Sequence, residues 1–598
     1  MMDARELREE LTQRIPIFKI GFLALLGIVA LNFFMVQVAA GSRYLELAEN
    51  NRLRRLEIQA PRGLMYDREG RILAENVPSY DLFFDTSRTS DPEESFRFAS
   101  GVLEGVEANE FADVLESHGR ASRSGPVLLA EDLTLAEVAQ FGVSALEHPE
   151  FQIEVHDVRL YRYGPQMAHV LGYVAKPGAD DLDRGNGSSL SPDSVVGKAG
   201  LEQEWDDGLR GGSGERVVVV DNVGRAKEEH GKRPAVPGRS LRLTLDLDLQ
   251  QIAARYFEDK VGAAVAMDPR NGEILALVSA PSFNPNIFAK RLEQKEWKAL
   301  LTTPHNPMQN RAVQNAHAPG SVFKIVMAVA GLMEGVIDTN DTQYCGGSAR
   351  FYNRNVRCWK RGGHGVVNLR KAIQKSCDVY FYHLGRELEI SRIAKYARLF
   401  GMGSRTGLGI PGERAGLVPS EEWSVESRGH RWYPGETISV AVGQGPILVS
   451  PIQTATMISV IANNGKLVTP HLLKTGEKPP PKAVPLSPQA VEIVREALWA
   501  VVNDGGTGTA AAVAGLDVAG KTGTTQVIRQ ATWIKSEDLD YENRDHGWFA
   551  SFAPQRNAEL VVVVFVEHGG HGGTVAAPLA RQIYEKHFEN RLTETGSS

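Results

Sequence analysis

The residues able to do chemistry gather in three short clusters. In PGSVFK, Pro319 and Gly320 close a loop and Ser321 stands where a helix begins. The following IVMAVAGLMEGV is almost wholly apolar, so that helix has to be buried. Residues three apart share one helix face, so Lys324 can bring its amine to the Ser321 hydroxyl. A serine hydroxyl is a poor nucleophile until a base takes its proton. Lys324 can be that base once desolvation and a second cation make its neutral form accessible. The helix N-terminus adds N–H dipoles for a developing anion. Alone, Ser-x-x-Lys says little: about one or two arise by chance in a chain of this size, and a helix-capping serine with a surface lysine is the ordinary explanation. Ser376-Cys377-Asp378, ahead of the apolar VYFYHL, and Lys521-Thr522-Gly523-Thr524, inside the strand-like AGKTGTTQV, reverse that judgement. Their order and settings fit one active site.

Cys345, Cys358 and Cys377, the only three cysteines, share a stretch with His364 in RGGHGVV. Four soft ligands in one segment suggest a structural zinc, which takes Cys and His tetrahedrally. One disulfide with a cysteine left over, or three buried free thiols, are the other readings. A disulfide leaves His364 without a role, and exposed free thiols are disfavoured wherever the surroundings are oxidising. Because Cys377 lies between Ser376 and Asp378, a metal there would brace Ser376 from behind. EHGGHGG at 567–573 reads as a glycine-rich turn, since His568 and His571 have no carboxylate or thiol company in the sequence.

These clusters need a frame. VGAAVAMDPRNGEILALVSA, 261–280, is two apolar runs around Asn271-Gly272, a hairpin with an Asn-Gly turn. LDVAGKTGTTQV, HGWFASFAP and AELVVVVFVEHG give three more strands near the end. The chain between is mainly helical, with Ser487 and Pro488 as N-cap and first residue of QAVEIVREALWAVVN. The expected fold is α+β: a five-stranded, mainly antiparallel sheet flanked by helices. Residues 41–238 alternate short runs with turn-rich segments and read as an extended mixed α/β pedestal, ending in a linker at 234–238. The catalytic domain is expected over 239–588 and a flexible tail over 589–598.

The run 20–40, IGFLALLGIVALNFFMVQVAA, is uncharged and at 1.5 Å per residue matches a hydrocarbon core of roughly 30 Å. It is expected to be an uncleaved single-pass anchor, with 1–19 cytoplasmic. A cleaved signal peptide, with Val38-Ala39-Ala40 as its small residues, is the alternative, but the run exceeds a typical h-region. Arg14 and Lys19 precede it and Arg43, Arg52, Arg54 and Arg55 follow, so positive charge does not settle orientation. The formal net charge of -7 and the lack of a basic run argue against a nucleic-acid partner.

With all three motifs in hand, the chain resembles the penicillin-binding proteins, specifically the monofunctional class B transpeptidases and their elongation-type subgroup. RGLMYDREGRILA (62–74), HVLGYV (169–174) and GKAGLEQEWDDGLRGGSG (197–214) look like that class's non-catalytic boxes. TLDLDLQ (244–250) and GQGPILVSPIQ (443–453) resemble segments of its catalytic domain. Gly63, Gly70 and Gly200 in the boxes are read as structural. The resemblance implies a penicillin-binding fold and a peptidoglycan D,D-transpeptidase of cell-wall elongation and rod shape, held at the bacterial cytoplasmic membrane with its catalytic domain on the outer side. It implies that Ser321 attacks the penultimate D-Ala of a stem peptide while Lys324 takes its proton and Ser376 relays protons. The Ser321 and Thr524 N–H groups would form the oxyanion hole, and Lys521, Thr522, Gly523 and Thr524 the carboxylate site. Penicillins and other β-lactams would acylate Ser321 and stay. Asp378 departs from the commoner Asn of the second motif, as in the elongation-type subgroup. Some elongation-type relatives carry a metal site here with Asp at two positions. Class B members lack a glycosyltransferase domain, which implies a SEDS-family glycosyltransferase and elongation-complex scaffold proteins as partners.

Other functions fit less of the sequence. A division-type transpeptidase of the same class is disfavoured by Asp378 and the cysteine cluster. A β-lactamase or carboxypeptidase does not call for the large pedestal and anchor. A membrane penicillin sensor needs a cytoplasmic output segment, for which some twenty residues before the apolar run leave little room.

Overall fold

A computed structural model describes residues 4–43, 53–103, 126–183, 194–220, 226–290, 292, 294–474, 476, 478–528 and 536–596. The chain forms two compact units, one of residues 1–61 and 211–238, the other of residues 62–210 and 239–598. Residues 62–210 of the expected pedestal group with the unit that holds the three motifs.

In the first unit, a helix runs over Ala4–Phe34 and continues as a wider π turn over Met35–Ala39. Residues Ile15–Ala39 are long and apolar enough to cross a membrane. Their large side chains, such as Phe18, Leu23 and Leu31, are exposed. The helix begins well before residue 20, where the sequence reading placed only the start of the apolar run. Leu53–Ile58, Gly214–Val220 and Ala226–Arg233 make a separate three-stranded antiparallel sheet.

In the second unit, the strand Ile72–Phe84 pairs antiparallel with the whole of Phe151–Tyr161, from Ala74 opposite Tyr161 to Phe84 opposite Phe151. The sequence boxes are explained here. Buried Glu202 accepts from Arg62 Nε at 2.6 Å, Arg159 Nε at 2.8 Å and the Tyr161 hydroxyl at 3.3 Å, so one carboxylate ties three segments together. Gly172 and Gly200 both hold positive φ. A Cβ on Gly172 would stand 1.7 Å from the Ala199 carbonyl oxygen, which only glycine permits. The boxes thus interlock the fold, as their glycines suggested.

Helix α1, Leu247–Tyr256, is N-capped by Asp246, whose carboxylate accepts from the N–H of Asp248 and Leu249. The hairpin follows as β1, Gly262–Met267, and β2, Ile274–Ala280, with Gly272 at φ +87° in its turn. Next come α2, Lys324–Met333, α3, Asp378–Leu399, α4, Pro451–Ala462, and α5, Pro488–Asn503. Ser487 does sit at the N-cap of α5 with Pro488 behind it, though its side chain makes no capping bond. The last strands are β3, Ala519–Thr525, β4, His546–Ala553, and β5, Leu560–Val566, followed by α6, Ala577–His587. The sheet order is β2-β1-β5-β4-β3, and every pairing is antiparallel. This is the five-stranded α+β sheet expected.

Strand β5 is central and buried on both faces, which is why LVVVVFV lacks the polar alternation of a half-exposed strand. Val561, Val563 and Phe565 pack into the core with α2 and α4, while Val562, Val564 and Val566 face α1 and α6. Each such side chain contributes about 1.5–3 kcal/mol of burial. Every residue of α4 is buried, and its start is fixed by a capping box in which Ser450 and Gln453 satisfy each other's backbone. Beyond α6, where a flexible tail was expected, Glu589–Gly596 is helical and Arg591 bonds Glu559 at 2.8 Å.

Candidate active site

Strand β3 lies at an edge of the sheet, so its outer side is free to meet another segment. That segment is the nucleophile turn. Ser321 lies in a 3-10 turn, Gly320–Phe323, that leads into α2. Gly320 holds φ +54°, and a Cβ there would stand 2.7 Å from the Thr524 carbonyl oxygen. Thr525 Oγ1 donates to the Ala318 carbonyl at 2.6 Å, and Gln444 Nε2 to the Thr524 carbonyl at 3.2 Å. The first and third motifs are thereby pressed together, with the 443–445 loop alongside.

Lys324 is fully buried. Its Nζ donates to Asp378 Oδ1 at 2.6 Å, to the Ser376 carbonyl at 3.1 Å and to Ser376 Oγ at 3.2 Å. These bonds tie Lys324 to the second motif, and the one to the Asp378 carboxylate is the charge-assisted, shortest of the three. Ser376 reaches this place from a left-handed backbone, φ +54°, between the helix Leu369–Gln374 and α3. Asp378 opens α3, and its other oxygen accepts from the Trp359 N–H at 2.8 Å. Burial raises the Asp378 pKa, Lys324 draws it down, and Cys358 pushes it up again.

Lys521 on β3 is also fully buried, and its Nζ donates to the Thr522 carbonyl at 3.0 Å. Burial, then the charge of Lys324, lowers its pKa well below the ordinary lysine value, while Asp378 opposes the shift. The two lysines therefore feel one another across the site. Thr522 Oγ1 and Thr507 Oγ1 share a hydrogen bond of 2.6 Å, and Thr524 Oγ1 lies 3.4 Å from His571 Nδ1. Gly523 is held so closely that an added Cβ would be 2.9 Å from the Pro319 carbonyl oxygen. All eight residues named from the three motifs thus converge.

Cys345, Cys358, His364 and Cys377 converge too, their ligand atoms lying within 4.8 Å of one another. His364 Nδ1 is 3.7 Å from Cys345 Sγ and 3.5 Å from Cys358 Sγ. Ordinary Zn–S and Zn–N lengths in a tetrahedron set S and N about 3.6 Å apart. The three thiols are unbridged and buried, so the disulfide reading fails. The Cys358 thiol is pulled toward thiolate by its hydrogen bond with Cys377, whose own pKa the same bond raises. The set fits zinc in donor type and spacing.

Several residues at the site carried no motif signal. Trp359, beside Cys358, donates from its indole to the Lys375 and Ser376 carbonyls at 3.1 and 3.0 Å, clamping the second motif. The 567–573 segment is more than a turn. Glu567 accepts from Arg311 Nε at 3.2 Å and Asn315 Nδ2 at 2.9 Å, and lies 3.6 Å from His317 Nε2. His568 N donates to His546 Nδ1 at 3.0 Å. The fold gives Glu567 cationic and amide partners more than 250 residues away, while His568 and His571 meet His546 and Thr524. Only the glycine spacing of HGGHGG hinted at so close an approach.

Residues 262–585 match the penicillin binding protein transpeptidase domain. The chain belongs to that family. Residues 57–243 match the penicillin-binding protein dimerisation domain. The peptidoglycan D,D-transpeptidase MrdA of Haemophilus influenzae is 33% identical over 612 residues, covering 99% of this chain and 94% of that one. The penicillin-binding protein PBP2 of Helicobacter pylori, solved in complex with MreC, superposes with a TM-score of 0.80 at 28% identity, over 90% of this chain and 99% of that one. A chain from a structure on the coordination of polymerization and crosslinking by a peptidoglycan synthase complex gives a TM-score of 0.74 at 31% identity, over 97% and 99%. The family's acyl transfer requires no cofactor, and the sequence resemblance to penicillin-binding proteins holds along the whole chain.

Proposed function

We propose that this protein is a peptidoglycan D,D-transpeptidase that cross-links stem peptides through a Ser321 acyl-enzyme during cell-wall elongation. The observation that carries the reading is the meeting of Ser321, the Lys324–Ser376–Asp378 group and the β3 motif at one sheet edge. Ser321 Oγ attacks the penultimate D-Ala carbonyl carbon as Lys324 takes its proton. The N–H groups of Ser321 and Thr524 face the charge that develops on the carbonyl oxygen. The C–N bond breaks, the terminal D-Ala amine leaves with a proton relayed through Ser376, and an ester remains on Ser321. The amine of a second stem peptide then attacks that ester. A new amide forms, Ser321 recovers its proton, and the cross-link is complete. Thr522, Gly523 and Thr524 hold the donor's terminal carboxylate, with Lys521 beneath them. β-Lactams acylate Ser321 and are not passed on. Asp378 balances the positive charge that Lys324 carries once it has taken the proton, which an Asn could not do.

Fluorescent penicillin is expected to give one adduct per chain, and Ser321→Ala to abolish it. Labelling that survives the change rejects the assignment.

The finer readings have their own support. Residues 20–40 anchor the protein in the cytoplasmic membrane, with 1–19 inside and the catalytic domain outside, where its substrate lies. Residues 41–238 serve as the non-catalytic region and 239–588 as the transpeptidase. Cys345, Cys358, His364 and Cys377 hold a structural zinc, which when bound supplies folding free energy and no step of the reaction. The H. pylori relative bound to MreC and the synthase complex support two partner classes, elongation-complex scaffold proteins and a SEDS-family glycosyltransferase that makes the glycan this enzyme cross-links.

A further inference from the structure

Between β5 and α6 the chain reads Gly569-Gly570-His571-Gly572-Gly573. Its glycines let the backbone lie directly on the third motif. A Cβ on Gly572 would stand 2.0 Å from the Trp548 carbonyl oxygen and 2.6 Å from that of Gly523. One on Gly573 would be 2.4 Å from the Thr507 carbonyl oxygen. The side chain this approach delivers is His571, exposed, with Nδ1 3.4 Å from Thr524 Oγ1. Behind the loop, Asp545 is buried and its Oδ1 has no hydrogen-bond partner among the described residues. The Gly570 N–H donates to the Asp545 carbonyl at 2.8 Å, holding the loop against it. The charge of His571 acts on the Asp545 carboxylate against the effect of burial.

Resting on the reading above, in which the third motif holds the substrate's terminal carboxylate, we infer that His571 is a positioning residue of that subsite, setting which way the Thr524 hydroxyl points. A hydroxyl has one hydrogen to give. If Thr524 spends it on a bare imidazole nitrogen, it turns lone pairs toward the incoming carboxylate. If His571 donates through Nδ1–H, the Thr524 oxygen accepts, and its own hydrogen is free for the carboxylate. The close approach of Gly572 and Gly573 to the sheet fixes the loop, so the His571 ring stays within reach of that hydroxyl. Lys521 cannot supply the same exposed donor, because it is fully buried and donates to the Thr522 carbonyl. His571 thereby makes the enzyme selective for acyl donors that end in a carboxylate.

The test is the second-order rate of Ser321 acylation in the detergent-solubilised full chain, with benzylpenicillin and with its methyl ester. His571→Ala is expected to slow the acid about tenfold, or about 1.4 kcal/mol, while leaving the ester rate unchanged. His571→Asn, which keeps an N–H near the Nδ1 position, is expected to restore most of the loss. Equal slowing of acid and ester, no slowing of the acid, or failure of the Asn variant to rescue overturns the inference. Thr524→Val, run in parallel, separates the two levels. An acid-selective loss in Thr524→Val without one in His571→Ala removes His571 alone. Its absence from both variants removes the carboxylate assignment of the third motif and the inference with it.

Discussion

At the scale of residues, the site is governed by two buried lysines set beside one carboxylate. Lys324 and Lys521 are both inaccessible to solvent, and Asp378 is the anion that faces Lys324 at 2.6 Å. Removing one partner of a buried pair costs about 3–5 kcal/mol, because the charge left behind has no solvent to compensate it. Asp378→Ala is therefore expected to lower the melting temperature sharply and to stop acylation by penicillin. Asp378→Asn keeps the hydrogen-bonding shape and is expected to lose less of both. Equal stability of Asp378→Ala and the unmodified protein in thermal denaturation would sink this account.

At the scale of elements, two loops act on the motifs from behind. The first carries the Cys and His cluster. Cys358 precedes Trp359, whose N–H and indole hold Asp378 and the Ser376 carbonyl, and Cys377 lies between Ser376 and Asp378. Metal occupancy should thus propagate into catalytic geometry. Purified protein is expected to carry one zinc per chain by elemental analysis, and Cys358→Ser to lose the metal and acylate more slowly. A metal-free protein of full activity would reject the coupling. The second loop carries Glu567. Burial alone would raise its pKa, but the His317 hydrogen bond and the Arg311 charge outweigh burial and bring it down to about 2 from an ordinary 4.5. A carboxylate with a depressed folded-state pKa stabilises the fold above the unfolded pKa and loses that stabilisation as pH falls. The shift corresponds to roughly 3 kcal/mol, lost between about pH 4.5 and 2. Glu567→Gln should flatten the stability profile in that acid window. Because His317 forms a backbone bridge with Val449 and lies four residues before Ser321, the nucleophile turn should loosen over the same range.

At the scale of the whole molecule, the catalytic fold does not end where the motifs begin. Met65, Leu73, Tyr161, Val170 and Leu201 share one continuous buried core with Leu241, Val265 and the helices around Ser321. A fragment starting at 239 exposes that apolar surface, and each large side chain so exposed forfeits about 1.5–3 kcal/mol. Deleting residues 1–40 is expected to leave a soluble protein that still reacts with penicillin. Starting instead at residue 239 is expected to give an aggregated or poorly labelled product. A well-folded, fully reactive 239–598 fragment in size-exclusion chromatography would contradict the shared core.

Much of this was legible beforehand. The five strands could be read because apolar runs bounded by Asn271-Gly272 and other turns leave little choice of element. The three motifs could be read because their residue types are tied to chemistry, and the cysteine cluster because four ligands lay close in sequence. What the local sequence could not show was which groups pair across the fold. Helical spacing offered Lys324 to Ser321 but gave no sign that a carboxylate 54 residues away also holds it. His571 and Glu567 looked like parts of a glycine-rich turn, and only the packing of β3, β4 and β5 brings Thr524, Arg311 and Asn315 to them. The grouping of residues 62–210 with the catalytic domain is of the same kind. Spacing along the chain sets local geometry through the helix and strand repeats, whereas partners far apart in sequence are chosen by burial and charge once the chain has folded.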